Sequence, residues 1–90
     1  MRSFCRKDVE VPETVSAYIL IQTEVGKAAA VAQQIAGLPG VTLAEDVTGP
    51  YDVIVRAEAQ NMDELGRLVV ARVQGVDGIT RTLTCPVVHL

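Results

Sequence analysis

The chain has 90 residues, of which 49% are hydrophobic and 21% charged, and its formal net charge is −3. A chain of this length predicts one small domain, which buries about 60–65% of the surface that its unfolded form exposes. An acidic chain lacks the basic stripe of a nucleic-acid-binding face, so no direct binding to DNA or RNA is expected. No apolar run reaches the roughly 18–20 residues of a membrane span, so no membrane partner is expected.

The first 14 residues are polar and include Pro12, which predicts a loose N-terminal arm before a folded domain at residues 15–90. The arm has three basic residues, but no apolar segment follows them, so no signal peptide is predicted. Cys5 and Cys85 are too few for a disulfide framework and lack metal-ligand spacing, so no metal or other cofactor is expected. These features predict a reduced, cytoplasmic protein.

The first predicted element is a strand from Val15 to Thr23 that is apolar on both faces. A strand of this kind occupies the centre of a sheet. A helix is predicted next, because apolar residues recur at helical spacing, and Gly37 is expected to end it. The apolar stripe of this helix consists of Ala28, Val31, Ala32 and Ile35.

Residues 41–59 predict a β-hairpin whose strands are joined by the turn Thr48–Tyr51. From Tyr51 to Ala59 apolar residues alternate with mostly polar ones, which is the period of a strand. Gly49 and Pro50 suit the turn, since glycine tolerates a positive φ and proline fixes φ at about −65°. Asp52 follows the turn directly, so its carboxylate is expected beside a cluster of backbone N–H groups.

A second helix is predicted to begin at Asn61, whose side chain can cap it while Glu64 reaches back. Gly75 is expected to end this helix, and the last strand to run from about Gly78 to Cys85. Strand alternation predicts that one face of the last strand holds Thr80, Thr82 and Thr84, and the other Ile79 and Leu83.

An internal repeat predicts the architecture. The segment GLPGVT at residues 37–42 recurs as GVDGIT at residues 75–80, and both copies lie between a helix and a strand. Two strand–helix–strand units in tandem predict an α+β ferredoxin-like plait (βαββαβ), a four-stranded antiparallel sheet with two helices on one face. The other face, with Tyr18, Leu20 and Ile54, is then an exposed apolar patch, which predicts a homodimer through the sheet.

The residue types of general catalysis form no set in this chain. His89 lies next to the C-terminus, where little can position it as a general base. Cys85 precedes Pro86 at the end of a strand, and we expect a buried structural thiol there. Glu45 and Asp46 are adjacent acids on a hairpin strand, and we expect them to be solvated. No catalytic residue is therefore predicted.

The turn Thr48–Asp52 is the one candidate binding site. Its backbone N–H groups can bind an anion, and the Asp52 carboxylate can bind an ammonium group. These are the two charged groups of a free α-amino acid. The alternative is a purely structural turn, which Asp52 braces by accepting backbone hydrogen bonds.

Three segments together resemble the effector-binding domain of the Lrp/AsnC family, the feast/famine regulators of amino-acid metabolism. They are Leu38–Val41, Thr48–Val53 and Gly75–Thr82, in this order and spacing. The resemblance extends from about Ser16 to Val88. It implies a plait that dimerises through its sheet and assembles further, often to a tetramer of dimers.

The resemblance also implies a ligand site and its partners. Amino-acid effectors of the family bind between dimers, at the turn that matches Thr48, Gly49, Pro50, Tyr51 and Asp52. Thr80 and Thr82 are then candidates for the share of a neighbouring subunit. Family regulators carry a helix-turn-helix domain before this one, whereas about 14 polar residues precede the first strand here. The chain is thus expected to be a stand-alone effector domain without DNA binding of its own, with full-length family regulators as candidate partners.

Two functions remain open. The first is a non-catalytic, amino-acid-sensing oligomer with an indirect role in regulation. The second is a small cofactor-free enzyme of the dimeric monooxygenase type, which resembles the plait in topology and needs a roomy pocket between helices and sheet. We expect that space to be filled, by Ile19, Ile21, Val53, Val55 and Ala57 of the sheet and Ile35 and Leu68 of the helices.

Overall fold

The computed structural model describes residues 14–88. Most of the predicted N-terminal arm, including Cys5, lies outside the described residues, and so does His89. The elements in chain order are β1 (Val15–Thr23), α1 (Ala28–Ala36), β2 (Val41–Asp46), β3 (Val53–Ala59), α2 (Met62–Arg67), which continues as the π-helical segment Leu68–Val73, and β4 (Ile79–Pro86). The strands form one sheet in the order β2-β3-β1-β4, and each pair is antiparallel. The ferredoxin-like plait with β1 and β3 at its centre is thereby confirmed.

The core lies between the sheet and the two helices. Six inward residues of the central strands are fully buried, with 0% exposure: Ala17, Ile19, Ile21, Val53, Val55 and Ala57. Val15 and Ala59, at the end of this row, are partly buried and pack against them. The helices cover them with Val31, Ala32, Ile35, Leu65, Val69 and Val73. Fully burying one such aliphatic side chain contributes about 1.5–3 kcal/mol. The predicted filling of this space by aliphatic side chains is confirmed, although Leu68 packs against the core and is only partly buried.

The repeated segments place their second glycine, not the first, in the left-handed region. Gly37 follows α1 with φ −86°, whereas Gly40 has φ 88° and its counterpart Gly78 has φ 99°. A Cβ on Gly40 would lie 2.8 Å from the carbonyl oxygen of Glu58. The prediction that Gly37 ends the helix is right, but the left-handed turn comes three residues later, where the backbone of β3 lies close.

The N-terminal cap of α2 agrees with the prediction. The Asn61 side chain accepts a hydrogen bond from the N–H of Glu64 at 2.8 Å. The Glu64 carboxylate reaches back to the N–H of Gln60, one residue before the cap, at 3.2 Å. At the other end the last turns widen, and Gln74 donates to the carbonyl of Val69 instead of that of Val70. The helix ends at Val73, two residues before the predicted Gly75.

Each edge strand contains a β-bulge at its second residue. In β4 the pairing with β1 passes from Arg81 to Ile79, so Thr80 has no partner. In β2 the pairing with β3 passes from Val41 to Leu43, so Thr42 has none. Thr42 and Thr80 occupy equivalent positions of the internal repeat, so both halves of the chain carry the same irregularity.

The bulge corrects one predicted face. Alternation put Thr80 with Thr82 and Thr84, and Ile79 on the other side. Because the extra residue breaks the period of two, Ile79 turns inward and packs against the core, on the same face as Thr82. Leu83 stays on the opposite face, as predicted, and is 44% exposed.

The face of the sheet opposite the helices is uncovered in the single chain, and we call it the open face. Its apolar residues include Tyr18, 40% exposed, and the half-buried Leu20 and Ile54. The Arg56 guanidinium lies 5.5 Å from the centre of the Tyr18 ring and forms an ion pair with Glu58 at 3.6 Å. The predicted apolar patch is present, with one ion pair on it.

Candidate ligand-binding site

The hairpin turn between β2 and β3 comprises residues 47–52. The N–H of Val47 donates to the carbonyl of Asp52 at 2.8 Å and closes the turn. Gly49 has φ 154°, and a Cβ added there would meet no atom within 4 Å. The strand begins at Val53 and not at the predicted Tyr51. Just before it, the N–H of Asp52 donates to the carbonyl of Ile21 in β1 at 2.8 Å.

The turn is fastened to the end of β1 by two side-chain hydrogen bonds. The Asp52 carboxylate accepts from the N–H of Thr23 at 2.8 Å, through Oδ2. The Gln22 side chain donates to the carbonyl of Pro50 at 3.1 Å. Asp52 therefore braces the turn, as the structural alternative predicted. The hydrogen bond from Thr23 also fixes the position of its carboxylate. A ligand would meet a preorganised turn.

Several polar groups of this turn remain available to a ligand. Within residues 14–88, the N–H groups of Thr48, Gly49 and Tyr51 donate to no acceptor. In the same part of the chain, Asp52 forms no ion pair and its Oδ1 accepts no hydrogen bond. Three neutral donors and one carboxylate oxygen without a partner in the described residues thus lie within residues 48–52. Such a set can bind a carboxylate and an ammonium group.

Thr80 and Thr82 lie on the other side of β1 from this turn. Thr80 is exposed at the bulge, and Thr82 accepts a hydrogen bond from the Gln74 side chain at 3.3 Å. Together with Arg81 they line a surface pocket of about 370 Å³. Since neighbouring strands are about 4.8 Å apart, the turn and these threonines are roughly 10 Å apart in one subunit. Their joint use through a neighbouring subunit remains a prediction.

Two of the remaining candidate groups can be placed. Cys85 is exposed, so the expected buried thiol is wrong. It faces outward because β4 is an edge strand and Cys85 pairs with Tyr18 on the open face. Glu45 and Asp46 are exposed on β2, in agreement with the expected solvated charges. The described part of the chain contains no group of three side chains that could hold a metal ion.

None of the helices between residues 14 and 88 has the length and apolar character needed to span a bilayer.

Residues 16–89 match the family described as the Lrp/AsnC ligand binding domain. The chain belongs to the Lrp/AsnC family. Among curated relatives, a helix-turn-helix transcriptional regulator of Pyrococcus horikoshii is 37% identical over 54 residues, which are 60% of this chain and 36% of that protein. The regulator FL11 of Pyrococcus furiosus is 32% identical over 77 residues, which are 83% of this chain and 50% of FL11.

Solved structures share this fold. TTHA0845 from Thermus thermophilus superposes with a TM-score of 0.79 at 29% identity, over 84% of this chain and 95% of that one. AsnC of Escherichia coli gives a TM-score of 0.80 at 24% identity, over 94% of this chain and 60% of AsnC. The chain spans 36% and 50% of the lengths of the two curated regulators and 60% of AsnC, whereas it covers 95% of the Thermus protein.

A structure with the same fold was solved with an amino acid. The regulator NMB0573 of Neisseria meningitidis was crystallised in complex with L-methionine, and it shares this fold at 18% identity with a TM-score of 0.76. A different match is to a homocitrate synthase of Sulfurisphaera tokodaii, 31% identical over 74 residues, which are 81% of this chain but 16% of that enzyme.

Sequence reasoning missed the residues of β1 that hold the turn. Gln22 and the backbone N–H of Thr23 fix Pro50 and Asp52, which are about 30 residues away in sequence. The available signal was a glutamine at the end of an otherwise apolar strand. Its partner could not be inferred, because the contact depends on the register between β1 and β3.

Proposed function

We propose that this Lrp/AsnC domain is a non-catalytic sensor of a free α-amino acid, which acts as an oligomer and regulates amino-acid metabolism or transcription indirectly. One observation carries the proposal. The turn at residues 48–52 has three available N–H donors and a carboxylate that is fixed to β1 by the N–H of Thr23. Membership in a family of ligand-binding regulatory domains supports the same function.

The chemistry of the turn fits a zwitterion. A ligand carboxylate loses its hydration on binding, and that loss must be offset by hydrogen-bond donors. Thr48, Gly49 and Tyr51 supply such donors. The ligand ammonium group binds Asp52, whose Oδ1 accepts no other hydrogen bond within the described residues.

Assembly is the second part of the proposal. The open face is apolar around Leu20 and Ile54, and apolar patches of this kind mark association surfaces. We propose a homodimer through this face, and assembly of dimers into a larger ring, up to a tetramer of dimers. Thr80 and Thr82 of a neighbouring dimer then complete the polar shell around the turn, so ligand binding and assembly are coupled.

The monooxygenase-type enzyme is the weaker alternative. It needs a pocket between helices and sheet, where Ile19, Val55 and Ile35 have no exposed surface. The similarity to a homocitrate synthase reaches 16% of that enzyme, so it transfers no catalytic assignment. A cytoplasmic location, full-length family regulators as partners, and the lack of direct DNA binding are parts of the sensor proposal.

A thermal-shift screen of the standard L-amino acids tests the proposal. A ligand that binds only the native state stabilises it by about 2.7 kcal/mol at a hundredfold excess over Kd. We expect one or a few amino acids to raise the Tm of the wild-type protein. Asp52→Asn is the matched variant, because its side-chain oxygen still accepts from Thr23 while the charge is lost.

The Asp52→Asn protein should keep its Tm and its elution volume on size exclusion, and should lose the response to amino acids. Asp52→Ala should lose the response too, with some additional loss of stability. A wild-type Tm that no amino acid raises, or an equal response of Asp52→Asn and wild type, contradicts the sensor proposal. A gel shift with the purified protein tests the expected absence of DNA binding.

A further inference from the structure

A zwitterion at residues 48–52 leaves one charge without a partner. The turn provides a formal negative charge on Asp52 for the ammonium group, but only neutral N–H groups for the carboxylate. Carboxylates bound in proteins are commonly held by an arginine, whose guanidinium donates two parallel hydrogen bonds. A basic side chain near the turn would supply that partner.

Five basic side chains lie in the described part of the chain: Lys27, Arg56, Arg67, Arg72 and Arg81. Arg56 is engaged with Glu58 and the Tyr18 ring. Arg67 and Arg72 line a groove with Pro39, which precedes β2 at the far end of the sheet. Lys27 is at the same end of the sheet as the turn. It lies on the helix side, however, because its side chain is beside Gly78 and the core residue Val31.

Arg81 remains, and the strand register places it in one cross-strand row with the turn. Its backbone pairs with Gln22, and paired residues of an antiparallel ladder point to the same face. The Gln22 side chain in turn donates to the carbonyl of Pro50 at 3.1 Å. Asp52 flanks Gln22 on the other side, with its carboxylate on the N–H of Thr23. Turn, Gln22 and Arg81 thus succeed one another across β3, β1 and β4.

Arg81 is also unpaired within the described part of the single chain. Its side chain is exposed, and it forms no ion pair or side-chain hydrogen bond with any other residue in the range 14–88. An aspartate and an arginine therefore lie on either side of Gln22, at the same end of the open face. The negative charge of Asp52 and the positive charge of Arg81 are complementary to the ammonium and carboxylate groups of a zwitterion.

We propose that Arg81 binds the carboxylate of the amino-acid effector, alongside the neutral N–H groups of the turn, while Asp52 of the same subunit binds the ammonium group. This inference rests on the proposed function and adds a specificity residue to it. In this arrangement a single subunit supplies both charged side chains of the site. The neighbouring subunit then contributes only neutral groups, such as Thr80.

Two variants and two ligand forms test the assignment by calorimetric titration. The variants are Arg81→Gln and the control Lys27→Gln, which removes the same charge at the same end of the sheet. The ligands are the L-amino acid with the largest thermal shift and its α-carboxamide, which keeps the ammonium group and loses the carboxylate. Wild type should bind the acid more tightly than the carboxamide.

Arg81→Gln should raise the Kd of the acid by about ten- to hundredfold. It should leave the Kd of the carboxamide unchanged, so the preference for the acid disappears. Arg81→Lys should restore part of that preference, and Lys27→Gln should behave as wild type.

An unchanged Kd of the acid in Arg81→Gln overturns the role of Arg81 and leaves the sensor proposal intact, provided that Asp52→Asn has lost binding. Equal weakening of acid and carboxamide overturns it too, because it indicates a general effect on the site. If no standard amino acid binds wild type, the proposed function fails, and the assignment of Arg81 with it.

Discussion

The two faces of the sheet use neighbouring residues of the same strands for different purposes. On the helix side, Ile19 and Val55 are fully buried in an entirely aliphatic core. On the open face, one residue along, Leu20 and Ile54 are half-buried and share the surface with the Arg56–Glu58 ion pair. The face covered by the helices stabilises the fold of the single chain. The apolar residues of the open face contribute fully to stability only when another surface covers them.

The largest effect is expected from a comparison of two single substitutions at neighbouring residues of β1. Ile19→Ala should lower the free energy of unfolding by about 2–5 kcal/mol, because it leaves a cavity in a packed core. This loss should be independent of protein concentration. Leu20→Ala should cost less, and its cost should grow with protein concentration if the open face is covered by a second copy. Urea denaturation at two concentrations distinguishes the two cases, and equal behaviour of both variants contradicts the contrast between the faces.

The second effect concerns assembly. Leu20→Lys puts a charge at the centre of the open face, and burying an unpaired charge between two sheets costs several kcal/mol. We expect the wild-type protein to be at least a dimer at micromolar concentration, and the variant to be a folded monomer. Light scattering measures the mass and circular dichroism the fold. A monomeric wild-type protein contradicts the homodimer.

The third effect is confined to the hairpin turn between β2 and β3. Gly49→Val forces a β-branched residue to φ 154°, with a cost of about 1–2 kcal/mol from backbone strain alone, since no atom lies within 4 Å of the added Cβ. The rise in Tm caused by the amino acid should be largely lost, whereas the Tm of the ligand-free protein should fall only slightly. If stability and response both stay at the wild-type level, the turn tolerates the side chain and is not the preorganised site.

The smallest effect is expected from the ion pair on the open face. In a single chain the Arg56–Glu58 pair is partly exposed, at 32% and 42%, so Arg56→Met should cost no more than about 1 kcal/mol. A pair covered by a partner sheet is desolvated, and removal of Arg56 then leaves Glu58 unpaired at a larger cost. Comparing Arg56→Met in the wild-type protein and in Leu20→Lys measures the difference. Equal costs in both backgrounds indicate an uncovered face.

The fold could be predicted because its signals are local. The alternation of Ile19 and Leu20 assigns each to a face, and the repeated glycine segments mark two equivalent units. The bulge at Thr80 could not be predicted, because it is defined by pairing with β1 and not by its own sequence. For the same reason the inward position of Ile79 and the exposure of Cys85 were missed.

The candidate site was predicted in part. Its residue types are visible in the Thr48–Asp52 sequence, since glycine, proline and aspartate each have a defined role in a turn. The attachment of Asp52 to Thr23 and the row formed with Arg81 depend on strand register, which only the folded sheet supplies. Local sequence thus identifies the turn, and the tertiary fold determines which charges lie around it.

The two bulges have a consequence for aggregation. An open-ended sheet can add further strands at its edges without limit, and this is how fibrils grow. Here both edges are interrupted, at Thr42 in β2 and at Thr80 in β4, and β2 also carries the exposed charges of Glu45 and Asp46. Edge-to-edge growth is hindered on both sides, while the open face stays accessible. The edges of the sheet are thus built to resist strand-by-strand polymerisation.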